Sequence, residues 1–324
     1  MSFVDLETAN IIRTLKEGHY QFPRADQLHA AIAEMTTKYY AEAALNEDFE
    51  ARATLVVGPS RIGKTSEMDH QRKLFNEASI KMPDGRPAKM VKVMLRGSSS
   101  WKELGVLTLR ALGYDIEVRG AVNQTLIWNK VIFHAKANGV VCIHYDECQH
   151  IFVRRSAEVQ EQIRGCFKSL LKQPEWPLML VFSGVDELKQ HILVEEQLGN
   201  LVKTVSFAEI DPGKEIDLSE MNSICFAYAD KVGLDFSTLS SADFLRRLAF
   251  ACSNRWGLVI ELMILAAVIA KRAKSTSMDL TNFCQAFTNR FELQPEYSPF
   301  SLNGYKQHFD SDAIFGLWTR MDPS

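Results

Sequence analysis

The 324-residue chain has no excess of basic charge: 37 Lys and Arg stand against 40 Asp and Glu, a formal charge of −3. No global positive field exists to hold nucleic acid, so such binding needs a local patch, a groove or an assembly of copies. Six cysteines (Cys142, Cys148, Cys166, Cys225, Cys252, Cys284) form no CxxC pair. In a chain this long they read as reduced, mostly buried thiols of a cytosolic protein. A long apolar run is also missing, since Gly257–Ala270 is interrupted by Glu261 and too short to cross a bilayer. The start, Met-Ser-Phe-Val-Asp-Leu-Glu, has acids where a secretory signal has a basic region. The expectation is a cytoplasmic protein without membrane contact. Gly (17) and Pro (10) are too few for collagen-like or low-complexity classes. What is present, 46% hydrophobic and 24% charged residues, is enough for a sizeable core, and the length suggests about two domains.

Residues 1–50 read as an amphipathic helical extension broken at Pro23, with helical spacing resuming over 25–45. From Ala53 short apolar runs alternate with helical segments. Strands are expected at 53–57, 90–95, 140–145, 178–183 and 204–207, with helices at 66–76, 101–112, 123–136 and 157–172. Uniformly apolar strand centres imply a parallel sheet covered on both faces. Beyond Asp211-Pro212-Gly213 the pattern is helical only, over 215–232, 241–252, 257–274 and 279–291. The expected organisation is an extension (1–50), an α/β domain (51–212), an all-helical domain (213–292) and a loosely attached tail (293–324). In that tail Tyr297, Phe300, Tyr305 and Trp318 look exposed and able to dock a partner, or else pack onto the helical domain.

The strongest motif is Gly58-Pro59-Ser60-Arg61-Ile62-Gly63-Lys64-Thr65, a complete GxxxxGK[ST] followed by Ser66, between an apolar strand and a helix. That context is what phosphate binding demands. Gly58 and Gly63 allow close backbone approach, and the loop amides and helix N-terminus form an anion cradle. Lys64 would reach the β- and γ-phosphates of ATP, and Thr65 would give Mg²⁺ a hydroxyl. A second apolar strand ends in Asp146-Glu147. Asp146 is expected to hold Mg²⁺, and Glu147 to polarise the attacking water as general base. Alone, such an acid pair is also compatible with an ordinary solvated loop, a reading that the complete phosphate loop upstream disfavours. A third strand ends at Ser183, which either contacts the γ-phosphate or attacking water or is a plain strand-to-turn junction. His144, Cys148 and His150 flank the acids, but no fourth ligand is placed by spacing, which argues against zinc.

The three strand-end motifs with a helical lid resemble AAA+ ATPases, and finer features are similar to the TniB/TnsC family of transposition regulators. These are Phe22-Pro23-Arg24-Ala25, Asp146-Glu147-Cys148-Gln149-His150-Ile151-Phe152, Ser183-Gly184-Val185-Asp186-Glu187-Leu188, and Ser253-Asn254-Arg255-Trp256-Gly257-Leu258. The resemblance spans roughly residues 15–290. It implies an α/β AAA+ P-loop NTPase with a central five-stranded parallel sheet, an N-terminal helical extension and a C-terminal helical lid. It also implies ATP and Mg²⁺ as cofactors, self-assembly as a ring or filament on double-stranded DNA without sequence preference, and a transposase and a TniQ-type targeting protein as partners. In related initiator-type ATPases an arginine before the last strand completes a neighbour's site, whereas this stretch offers only Lys203. Lysine lacks the planar fork of arginine. Either hydrolysis is slow, or Arg154, Arg155 or Arg164 takes the role. Asn254 stands where glycine is common, and Arg255 is either a sensor of the γ-phosphate or a surface arginine. Lys102 and Arg119 follow as expected DNA-facing residues, contacting phosphates, or else as solvated loop cations.

The leading expectation is an ATP-dependent transposition regulator with slow, assembly- or DNA-dependent ATPase activity. The alternatives are a scaffold that binds ATP with negligible turnover, and a replication-initiator or secretion-type ATPase of the same fold. The roughly 34 residues from Phe291 onward are too few for the winged-helix domain expected of an initiator. A small-molecule kinase is disfavoured, because the helical half supplies no evident second-substrate pocket.

Overall fold

Five short segments form one parallel sheet, in the spatial order β2-β3-β4-β1-β5. The computed structural model describes residues 3–97, 99–115, 123–294 and 296–320. In chain order the elements are α1 (Leu6–Lys16), α2 (Pro23–Leu45), β1 (Ala53–Val57), α3 (Lys64–Glu77), β2 (Lys89–Met94), α4 (Trp101–Ala111), α5 (Gln124–Asn138) and β3 (Val140–Asp146). They continue as α6 (Ala157–Leu171), β4 (Met179–Gly184), α7 (Leu188–Ile192), α8 (Glu196–Gly199), β5 (Val202–Ser206) and α9 (Glu215–Asp230). The last are α10 (Ala242–Ala251), α11 (Trp256–Arg272), α12 (Leu280–Phe291), α13 (Tyr305–His308) and α14 (Ser311–Arg320).

The chain divides into two compact units, one of Pro23–Ser60 and Lys64–Phe207, the other of Met1–Phe22, Arg61–Gly63 and Ala208–Ser324. This differs from the expected extension over 1–50, which splits at Pro23. The proline opens α2, where its missing N–H and fixed φ cost nothing. The helix then belongs to the sheet unit, where Met35 meets Thr54 and the Tyr39 hydroxyl donates to the Pro177 carbonyl at 2.8 Å.

Within the sheet unit β1, β3 and β4 are buried along their whole length, as expected where helices cover both faces. Alternation then sorts side chains by face. Val93, Tyr145 and Phe182 share one face, where Tyr145 and Phe182 meet Phe167 of α6, and the Tyr145 and Thr108 hydroxyls lie 3.3 Å apart. Lys92, His144, Asp146 and Ser183 fall on the other, where Lys92 meets Asp69 of α3.

In the helical unit α11 is the central element, with Leu258, Leu262, Met263, Ala266 and Ala270 buried. Phe244, Phe283, Phe287 and Phe300 form an aromatic cluster beside it. The expectation of a loose tail with exposed aromatics is corrected here. Phe300, Tyr305 and Trp318 are buried, and the Trp318 indole N–H donates to the Ala251 carbonyl at 3.0 Å. Only Tyr297 of the four stays exposed. The tail supplies three large side chains that α10 and α12 need to complete their core. Among the described residues no single helix is long and apolar enough to cross a membrane.

Candidate nucleotide-binding site

β1 runs directly into the glycine-rich loop, and α3 begins at Lys64. A Cβ at Gly58 would collide with the Phe207 carbonyl, and its φ of 157° lies where side chains are rarely tolerated. Gly63 sits at φ 102°, again in glycine's territory. The loop therefore needs both glycines for its path, apart from any ligand. Lys64 is buried, and its ammonium donates to the carbonyls of Gly58 (2.7 Å) and Pro59 (2.8 Å). The chain's own loop thus holds the lysine at the mouth of the cradle. Thr65 is half-buried in the first turn of α3, Ile62 is buried, and Ser60 and Ser66 are exposed.

β4 lies between β1 and β3, pairing Val56 with Ser183 and Val57 with Gly184. This brings Ser183 beside the last residues of β3. The Ser183 hydroxyl donates to Asp146 Oδ1 at 2.6 Å and lies 2.7 Å from His144 Nε2. A serine has one hydrogen to give, so it accepts from the histidine, whose proton must then sit on Nε2. His144 Nδ1 is left as a buried acceptor without a hydrogen-bond partner. Burial outweighs the nearby acids and pushes the His144 pKa down to about 4, so the ring is neutral near pH 7. Burial acts the other way on Asp146, but the His144 ring, the Ser183 hydroxyl and the Lys92 ammonium overturn it and hold the carboxyl below its ordinary value. Asp146 is therefore a fully buried carboxylate, and its Oδ2 receives no hydrogen bond. A buried, ionised oxygen whose one close cation is the Lys92 ammonium at 3.2 Å, with the Thr65 hydroxyl in the helix after the phosphate loop, is a donor set that fits Mg²⁺.

Glu147 follows in the left-handed region at φ 55°, a strained backbone for a residue with a side chain. Its carboxylate accepts from Gln149 Nε2. Gln149 is itself buried, and a Cβ at Gly184 would run into Gln149 Oε1 and Leu188. Gly184 thus makes room for the amide that holds the glutamate.

The other expected residues among those described have contacts of their own. Arg154 is exposed at φ 57°, Arg155 is half-buried, and Arg164 donates to the His191 carbonyl at 3.4 Å. Lys203 pairs with Glu34 of α2 at 2.5 Å. In the helical unit, Arg255 pairs with Glu209 and lies over the Phe315 ring at 5.0 Å. Asn254 there adopts φ 56°, a left-handed turn that asparagine tolerates nearly as glycine does, which accounts for its presence where glycine is common. Lys102 is half-buried in the first turn of α4, and Arg119 lies outside the described residues. Among the described residues no group of three His, Cys, Asp or Glu could hold a metal ion. Burial also pushes the Cys142 and Cys148 thiols up, away from the reactive thiolate.

Sequence reasoning missed Lys92, Asp69 and the holding role of Gln149. A signal for Lys92 was there, because a lysine in the middle of Met-Val-Lys-Val-Met is an unpaired charge in an apolar strand unless something answers it.

The fold is that of the AAA+ ATPases. Similar solved structures include the ORC1 protein of Aeropyrum pernix in complex with DNA (TM-score 0.62, 14% identity, 96% of this chain and 86% of that one). Others are Cdc6p from Pyrobaculum aerophilum (0.60, 13%, 85% and 69%) and A. pernix ORC2 in ADPNP–ADP complexes (0.56, 15%, 86% and 71%). At such identities the likeness shows the fold alone. A search of curated proteins finds no match. The profile of the bacterial TniB protein matches residues 19–209, more than half of the sequence, and the chain belongs to the TniB family.

Proposed function

We propose that this chain is an ATP-dependent regulator of DNA transposition. It binds ATP with Mg²⁺, assembles with copies of itself on duplex DNA without sequence preference, and recruits or licenses a transposase at the target site, with a TniQ-type protein as targeting partner. The observation that carries the reading is the convergence of Lys64, Thr65, Asp146, Glu147 and Ser183 at the carboxyl ends of three adjacent strands. Membership of the TniB family directs that chemistry to transposition.

The loop amides and Lys64 would grip the triphosphate, exchanging the lysine's carbonyl partners for phosphate oxygens. Mg²⁺, when bound, neutralises charge on the β- and γ-phosphates. Thr65 and Asp146 would hold that ion. Ser183 keeps Asp146 ionised and aimed, with its own proton committed to the carboxylate. Glu147, once released by Gln149, would polarise the attacking water. Net charge −3 means that DNA affinity must come from many subunits, each adding a few phosphate contacts through residues such as Lys102, and it should fall with salt. Size-exclusion chromatography or electron microscopy with duplex DNA and a non-hydrolysable ATP analogue tests this. Assemblies are expected, and persistent monomers would refute the proposal.

A second reading is favoured by the hold of Gln149 on Glu147 and of Glu34 on Lys203: ATP as a structural ligand of a scaffold, with negligible turnover. Phosphate release measured with and without DNA separates the two. Turnover that Glu147→Gln abolishes removes the scaffold reading, and its absence in the native chain removes the enzyme.

A further inference from the structure

β2 carries Lys92 in mid-strand between apolar residues, with a side chain only 16% exposed. A cation there is costly to bury unless answered, and two carboxylates answer it. Its ammonium lies 2.9 Å from Asp69 Oδ2 on α3 and 3.2 Å from Asp146 Oδ2 at the end of β3. Asp69 is part-exposed and also faces Arg72 through its other oxygen at 3.4 Å. Asp146 is fully buried. One ammonium is thus shared between a solvated carboxylate and the oxygen of Asp146 that receives no hydrogen bond.

Resting on the nucleotide-site reading above, we propose that Lys92 is a positioning residue that stands in for the divalent cation at Asp146, and that Asp69 is the carboxylate that draws it aside. The ammonium and a hydrated cation need the same oxygen, and two positive charges within a few ångströms repel each other. Asp69 gives the displaced ammonium a second partner, so withdrawal does not strand a charge. A compact ammonium on a flexible four-carbon stem can make that short move, which a planar guanidinium would not. The balance between the two carboxylates sets the magnesium concentration at which the site fills.

The test is binding of a fluorescent ATP analogue to the full chain, titrated with Mg²⁺ at fixed nucleotide, with thermal melts alongside. Lys92→Met is expected to lower the Mg²⁺ midpoint about two- to fivefold, and Asp69→Asn to raise it by a similar factor, the scale of part-exposed charge pairs. An ion pair that only staples α3 to the sheet would lower stability in both variants and leave the midpoint in place, which overturns the proposal. Should Lys92→Met fail to fold, Asp69→Asn decides alone, and a midpoint that stays or falls rejects the idea. Failure of the underlying reading looks different: the unsubstituted chain would bind nucleotide equally in Mg²⁺ and EDTA, or not at all, and both ideas would fall together.

Discussion

The Ser183 hydroxyl donates to Asp146 Oδ1 across neighbouring strands at 2.6 Å, and with Lys92 it keeps a fully buried carboxylate charged. Ser183→Ala removes that donor, leaves Oδ1 only the Glu147 backbone N–H at 3.1 Å, and takes from His144 Nε2 its acceptor. Removing one partner of a buried hydrogen bond costs about 1–3 kcal/mol, more than the bond's net worth. A loss of that size is expected in denaturant unfolding, together with a weaker Mg²⁺ dependence of nucleotide binding. Unchanged stability would mean that water or another donor replaces the hydroxyl.

Gly184→Ala places a methyl against Gln149 Oε1 and Leu188 in the sheet unit. Overpacking of this kind costs about 1–3 kcal/mol, and here it also pushes the amide that holds Glu147. Turnover is expected to change more than nucleotide affinity, as single-turnover phosphate release and equilibrium binding would report. An equal effect on both would mean that Gln149 does not act through the glutamate.

Glu34 is tied to Lys203 on β5 and to Lys38 one turn along α2. The Lys203 bond first, and the Lys38 bond next, bring its pKa down from 4.5 to about 2. A depressed carboxyl stabilises the fold above its unfolded value and loses that contribution as pH falls from 4.5 through about 2. Glu34→Gln should flatten the dependence of stability on pH in that window and leave it unaltered at pH 7 and above apart from a constant offset. A slope as steep as in the native chain would show that the ion pair is too well solvated to matter.

Trp318 is 1% exposed, hydrogen-bonded to the Ala251 carbonyl, and set edge-on to Phe291 at 4.9 Å. Truncating a buried tryptophan typically costs about 3–5 kcal/mol. Trp318→Ala, or removal of residues 293–324, is therefore expected to destabilise the helical unit in a thermal melt. A tail that serves only to dock a partner could be removed without effect.

Much of this was legible because the chain spells out local rules. Apolar runs buried on both faces marked β1, β3 and β4, and GxxxxGKT needed only a strand before it and a helix after it. Pairings between distant residues were harder to see. Nothing in the spacing of Asp69, Lys92 and Asp146 brings them together, and only the order β2-β3-β4-β1-β5 with α3 on one face does so. Lys203 looked like a free cation on β5 because its partner, Glu34, lies 169 residues away on a helix. The aromatics of the tail looked exposed for a similar reason, since short segments with irregular spacing carry no periodic signal of the face they bury.

Lys64 bears the central claim, that loop nitrogens and this ammonium grip a nucleotide's phosphates. Charge-assisted hydrogen bonds contribute about 1.5–3 kcal/mol, so Lys64→Ala should weaken equilibrium ATP binding about ten- to a hundredfold while the protein stays folded. Affinity equal to that of the unsubstituted chain would contradict the account.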